Sequence, residues 1–198
     1  MIKRIVILFS MLVLCSSLAH AVDKVGEIYD AIKNEDVEKV KINLVANTNA
    51  VNAILEKRYT LLDFAVEHSS PKGIEILELL LDNGANVGVR NHIGQTPLFS
   101  AVIYDNLEGV KILIARGAKV NMKQNDGRTP LHWAASSGYC DVAKVLIDNQ
   151  ANRKAKDASG KTPLDCVLEG RSEAKGDLNL IKQYDTMIAL LQGKTEKK

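Results

Sequence analysis

The chain has 198 residues, with 26 Lys or Arg against 24 Asp or Glu and a net charge of +2. Lys3 and Arg4 alone supply that excess, so the remainder is neutral. A neutral domain has no electrostatic footprint for nucleic acid or anionic lipid, and 46% hydrophobic residues suffice for one sizeable core.

Lys3-Arg4 opens the chain, an apolar run follows from Ile5 to Cys15 broken only by Ser10, and Ser16-Ser17-Leu18-Ala19-His20-Ala21 closes it. A basic start, an apolar stretch and a small-x-small ending make the pattern of a secretory signal peptide, with cleavage expected after Ala21. The run is too short to span a bilayer, which takes ~20 residues. Residues 1–21 are therefore expected to be removed, leaving a periplasmic or secreted product with no stable membrane span. Cys15 leaves with the leader, so Cys140 and Cys166 remain. In an oxidising compartment these either form one disulfide or stay as two small core thiols.

The segment "EIYDAIKNEDVEKVKINL" reads as a helix pair. Thr-Pro-Leu then occurs at 96–98, 129–131 and 162–164, in steps of 33 residues, with Gly94, Gly127 and Gly160 always two places before the Thr. Thr60-Leu61-Leu62 is a weaker copy 36 residues before Thr96. Self-similarity at a fixed period marks a repeat array.

One unit, 92–121, is readable in detail. Thr96 is a helix N-cap and Pro97 takes the first helical position, where its fixed φ helps and its missing N–H costs nothing. Thr129-Pro130 and Thr162-Pro163 repeat this start. Leu98, Ala101 and Val102 share one face of a short helix, Asp105-Asn106 interrupts it, and Val110, Leu113 and Ile114 mark a second. Gly117 ends that helix in the left-handed conformation. Gln150 stands at the same place one unit later, a cost of ~1 kcal/mol unless Asn149 takes the left-handed turn. The fourth proline, Pro71, falls in a loop on this reading. Helices this short are marginal alone, so stacking must stabilise them, and Ala65, Ala101 and Ala134 permit close approach.

The chemically tempting residues fit the same frame. Asp141 opens a second helix, where negative charge suits the N-terminus, and Glu75 and Glu108 hold the same place in other units. The glycines stand singly, so no phosphate-binding loop exists. His68, His92 and His132 are not spaced with cysteines or carboxylates as a metal site requires. No catalytic, cofactor-binding or metal-binding residue is expected.

The 33-residue unit, with Gly-x-Thr-Pro-Leu-His-x-Ala-Ala at 127–135 and Gly-Ala-x-Val-Asn at 117–121, resembles the ankyrin repeat. Residues 124–156 match best. Residues 91–123 carry Phe99 in the His place, and 55–90 carry Leu61 in the Pro place with a three-residue insertion near Ser69–Gly73. Residues 22–54 resemble a degenerate opening unit. Residues 157–192 form a departing last unit closed by "LNLIKQYDTMIALL", ahead of a frayed tail at 194–198.

The resemblance implies an all-α solenoid of about five stacked helix-turn-helix units with degenerate ends, and a monomeric, non-enzymatic protein binder needing no cofactor. It implies a bond from His132 that ties adjacent loops, and packing of Trp133 between units. It places partner contacts on turn tips and first helices: Tyr59, then His92, Ile93 and Gln95, then Ile103 and Tyr104, then Asn125, Asp126 and Arg128, then Ser136 and Ser137. Glu67, His68, Ala158, Ser159 and Lys161 flank them. Ile93, Ile103 and Tyr104 stand out, because apolar and aromatic residues at exposed places mark interfaces. The expected role is an exported module binding an unidentified envelope protein. The alternatives are an effector binding a host protein, or an inhibitor or regulatory subunit of a periplasmic enzyme.

Overall fold

Every Thr-Pro pair starts a helix. In the computed structural model, which describes residues 25–55, 58–174 and 176–194, Thr96, Thr129 and Thr162 are extended N-caps with Pro97, Pro130 and Pro163 in the first turn. The leader at 1–21 and most of the tail lie outside the described residues.

The elements run in pairs. Unit one holds α1 (25–33) and α2 (Val37–Ala46), followed by a 3₁₀ turn, Thr48–Asn52. Unit two holds α3 (Leu61–Ala65) and α4 (Pro71–Asp82), and unit three α5 (Pro97–Ile103) and α6 (Leu107–Ala115). Unit four holds α7 (Pro130–Ser137) and α8 (Cys140–Asp148), and unit five α9 (Pro163–Glu173) and α10 (Leu178–Gln192). Loops of two to five residues join the helices of each pair, which forces them antiparallel. Among the described residues the only extended pairing is an isolated bridge, Ile54 to Thr60. The fold is an all-α solenoid.

Its core is a column rather than a ball. Leu62, Leu77 and Leu80 in unit two, Leu98, Val110 and Leu113 in unit three, Leu131, Val142 and Leu146 in unit four, and Val167 and Met187 in unit five are all buried. Each such side chain contributes about 1.5–3 kcal/mol by leaving water. Ala65, Ala101 and Ala134 are fully buried, which lets successive first helices approach.

Pro71 corrects the loop expectation. It sits in the first turn of α4, and the Ser70 hydroxyl accepts from the Gly73 amide at 3.0 Å. The three inserted residues extend α4 backwards by one turn. Glu75 therefore lies inside α4, paired with Lys41 at 3.4 Å, whereas Glu108 and Asp141 do occupy first turns. Gln150 itself takes the left-handed turn, at φ +67°, and Asn149 stays at −97° with its side-chain amide on the Val145 carbonyl.

Polar side chains stitch neighbouring units. Asn106 accepts from the Gly109 amide at 2.8 Å and donates to the carbonyls of Val66 and His68 in the unit before. Asn52 donates to the Gly84 carbonyl and accepts from the Asn86 amide, and Asn121 repeats this with Gln150 and Asn152.

The last unit closes the column with a longer helix. Tyr184 on α10 donates to the Ser136 carbonyl at the end of α7, 3.0 Å away, and Arg171 pairs with Asp185 at 2.6 Å. A Cβ at Gly170 would lie 2.7 Å from the Tyr184 hydroxyl, so a side chain there would have to push the ring aside. Cys140 and Cys166 form no disulfide. Both are free thiols, because the Cys140 sulfur faces α10, where it donates to the Gln183 carbonyl at 3.3 Å. Burial pushes both thiols up, with Asp141 adding to the effect at Cys140, which keeps them protonated and unreactive.

Candidate functional site

The third residue of each first helix decides how its start is tied. Asp63, Phe99, His132 and Asp165 occupy this place in units two to five. Asp63 accepts from the Thr60 amide at 2.8 Å and from its hydroxyl at 2.9 Å, and Asp165 does the same with Thr162. Phe99 has no acceptor, and Thr96 caps without a side-chain bond. His132 uses both ring nitrogens. Nδ1 accepts from the Thr129 amide at 3.1 Å and lies 2.8 Å from its hydroxyl, while Nε2 lies 3.1 Å from the Lys161 carbonyl in the next unit. With Nδ1 accepting from the amide, the proton belongs on Nε2, which donates to Lys161. Burial holds the imidazole below the usual histidine range, partly opposed by the Lys161 bond. It is neutral and structural.

The turn tips join through their backbones. Asn125 donates its amide to the Ile93 carbonyl at 2.9 Å and its side-chain nitrogen to His92 at 3.1 Å. Ala158 donates its amide to Asp126 at 2.9 Å. A Cβ at Gly127 would meet the Ala158 nitrogen at 2.7 Å, and its φ of +81° is one that glycine takes cheaply. Asp126 accepts from the Arg128 amide and from Gln124, and Arg128 approaches Asp126 at 3.6 Å and Asp157 at 3.9 Å.

Gln95 is a correction. It is only 7% exposed, with its amide on Gln124 at 2.9 Å and its oxygen accepting from Asn91 at 3.2 Å, so it supports the turn from inside and offers nothing to a partner. Ser136 and Ser137 are partly buried, and Ser136 is engaged by Tyr184 through its carbonyl.

Beside the exposed polar tips His92, Asn125 and Asp126, the surface offers apolar and aromatic side chains. Ile93 is 38% exposed on its tip and Tyr104 is 49% exposed at the end of α5, with Ile103 half-buried beside it. The Tyr104 hydroxyl donates to Glu67 at 3.0 Å, and burial of that oxygen together with Glu67 pushes the phenol up to about 12. Tyr59 meets His92 edge-on at 5.9 Å and Phe64 at 5.7 Å, and Phe64 meets Tyr29 at 4.7 Å. An aromatic row thus links units one to three. Sequence reasoning found Tyr59 and His92 but missed Tyr29 and Phe64. Tyr29 lies in the unit without the repeat motif; Phe64 shares its place with Trp133, which itself packs edge-on against Phe99 at 6.2 Å.

On the opposite edge, where the loops within helix pairs lie, an open depression of about 470 Å³ is lined by Asn34, Glu35, Asp36, Val37, Glu38, Lys72 and Glu75. Glu35 there is held by Ser70 at 2.6 Å and His68 at 3.1 Å. The Ser70 hydroxyl is committed on both sides, donating to Glu35 and capping α4 through the Gly73 amide. Among the described residues no group of three or more His, Cys, Asp or Glu could hold a metal ion, and no helix is long and apolar enough to cross a membrane.

The family model described as "Ankyrin repeats" matches three overlapping stretches, 28–124, 62–157 and 118–175, which together span well over half of the chain. Comparison with curated proteins gives no match.

Proposed function

Because the chain belongs to the ankyrin-repeat family, whose members are protein–protein interaction modules, we propose that it is an exported protein that binds an envelope protein across the Tyr59–His92–Ile93–Tyr104 surface. The observation that carries this reading is the exposure of Ile93 and Tyr104 on tips and helix ends whose polar neighbours are committed to internal bonds. A rigid apolar centre with a satisfied polar rim is the composition of an interface hot spot. Export is supported by the leader pattern at 1–21.

The test is capture from an envelope extract by the chain and by an Ile93→Arg, Tyr104→Ala double variant of equal thermal stability. A protein held by the first and lost by the second supports the surface. Equal capture by both places binding elsewhere. A partner found only in a host fraction removes the envelope assignment.

A further inference from the structure

The net neutrality of this chain conceals two oppositely charged edges. Each helix pair turns at one edge of the solenoid and hands over to the next unit at the other. The turning edge carries Glu35, Asp36 and Glu38, Asp105 and Glu108, and Asp141, against Lys33, Lys39 and Lys72. The handover segments 83–96, 116–129 and 149–162 hold nine Lys or Arg against two acidic residues, Asp126 and Asp157. They carry Arg90, Lys119, Lys123, Arg153, Lys154 and Lys156, all exposed, and among the described residues none has a carboxylate within 4.0 Å. The expectation of no electrostatic footprint, drawn from total charge, fails because that total cancels across the molecule.

The basic edge is built in register. Arg90, Lys123 and Lys156 stand one 33-residue step apart. The Arg90 guanidinium donates to the Lys123 carbonyl at 2.7 Å, and the Lys123 ammonium donates to the Lys156 carbonyl at 2.7 Å. Arg90 and Lys123 are thereby each pinned to the next unit, and the row follows the pitch of the solenoid.

We infer that this edge, in units three to five, is a docking strip for an anionic lipid surface, running on from the Ile93 tip of the protein-binding surface. Four of its six cations without a carboxylate partner are lysines, compact point charges without the fork that reads a carboxylate pair by pair. Past the Ile93 tip, no exposed large hydrophobic side chain stands in 116–129 or 149–162 to anchor a protein hot spot, and no aromatic there offers a platform for stacked bases. A row of point charges suits an array of lipid phosphates that rearrange beneath it, and clusters of four to eight Lys or Arg recognise anionic bilayers in this way. The acidic edge is repelled by the same surface, so the solenoid lands in one orientation.

The experiment is vesicle co-sedimentation of the full chain, with thermal unfolding of every variant as the folding control. Binding is expected to mixed phosphatidylglycerol–phosphatidylcholine vesicles and not to phosphatidylcholine alone. It should fall at least about tenfold when salt is raised to ~0.5 M, where screening shortens to a few ångströms. Arg153→Glu/Lys154→Glu/Lys156→Glu should abolish it, and the milder Arg153→Gln/Lys154→Gln/Lys156→Gln should weaken it. Lys33→Glu/Lys39→Glu/Lys72→Glu makes the same charge change at the other edge and should retain it. Equal binding to neutral vesicles, equal loss in both Glu variants, or retention by a duplex oligonucleotide but not by anionic vesicles would each overturn the assignment.

Discussion

His132 and Lys161 join units four and five through a single bond: the imidazole Nε2 lies 3.1 Å from the Lys161 carbonyl while Nδ1 caps Thr129. His132→Ala leaves a buried amide and a carbonyl unpaired, at a cost of about 2–4 kcal/mol, measurable by urea unfolding. His132→Phe, the residue unit three already uses at this place, should cost less because it refills the volume. Either result reversed contradicts a bridging role.

The same histidine gives a pH dependence of known sign. Its folded pKa lies below the ordinary histidine value of 6.5, so the unfolded chain binds the proton more readily. Its contribution is complete above that ordinary value and is lost as pH falls from it towards the depressed one. Unfolding free energy should decline on acidification through this window, and His132→Phe should remove that part of the slope. A slope unchanged in the variant would assign it to other groups.

Asp63 and Asp165 make the same pair of bonds to a threonine and yet shift in opposite directions. Burial pushes the Asp63 carboxyl up despite the Thr60 and Ser100 bonds, whereas the exposed Asp165 is held down by Thr162. A carboxyl-detected NMR titration should show Asp165 ionising at lower pH than Asp63; the opposite order would refute the burial argument.

Gly170→Ala should destabilise by about 1–3 kcal/mol, since the new methyl meets the Tyr184 hydroxyl at 2.7 Å. In a Tyr184→Ala background the same change should be neutral or mildly stabilising, because alanine is the better helix former. Additive effects in that double-mutant cycle would show that the ring is not what excludes a side chain.

Gln150→Gly should stabilise the protein by up to about 1 kcal/mol, by relieving the left-handed backbone. Asn121 meets only the Gln150 carbonyl there, so the bridge survives the change. A lower melting temperature would mean that the side chain, and not the backbone, sets the energy at this turn.

The repeat frame was legible because it is local. Thr-Pro caps, the alanine column and Gly117 are each dictated by backbone chemistry within a few residues. What sequence reasoning missed depends on register between units. Pro71 looked like a loop residue because the insertion hid that Ser70 could cap an earlier start. Gln95 looked like a tip residue because nothing local reveals that Asn91 and Gln124 enclose it. The charge edges were invisible in a total, since only the antiparallel pairing sorts Asp105 and Asp141 to one side and Lys123 and Lys156 to the other.

The rungs from Asn125 to Ile93 and from Ala158 to Asp126 run main chain to main chain. They ask for a peptide group and accept almost any side chain beside it, Gly94 and Gly127 excepted. The curvature of the row of tips is thus inherited independently of the residues displayed on it. A lineage can exchange Ile93 or Ala158 one at a time and alter what the tips display without reshaping the hand that holds it.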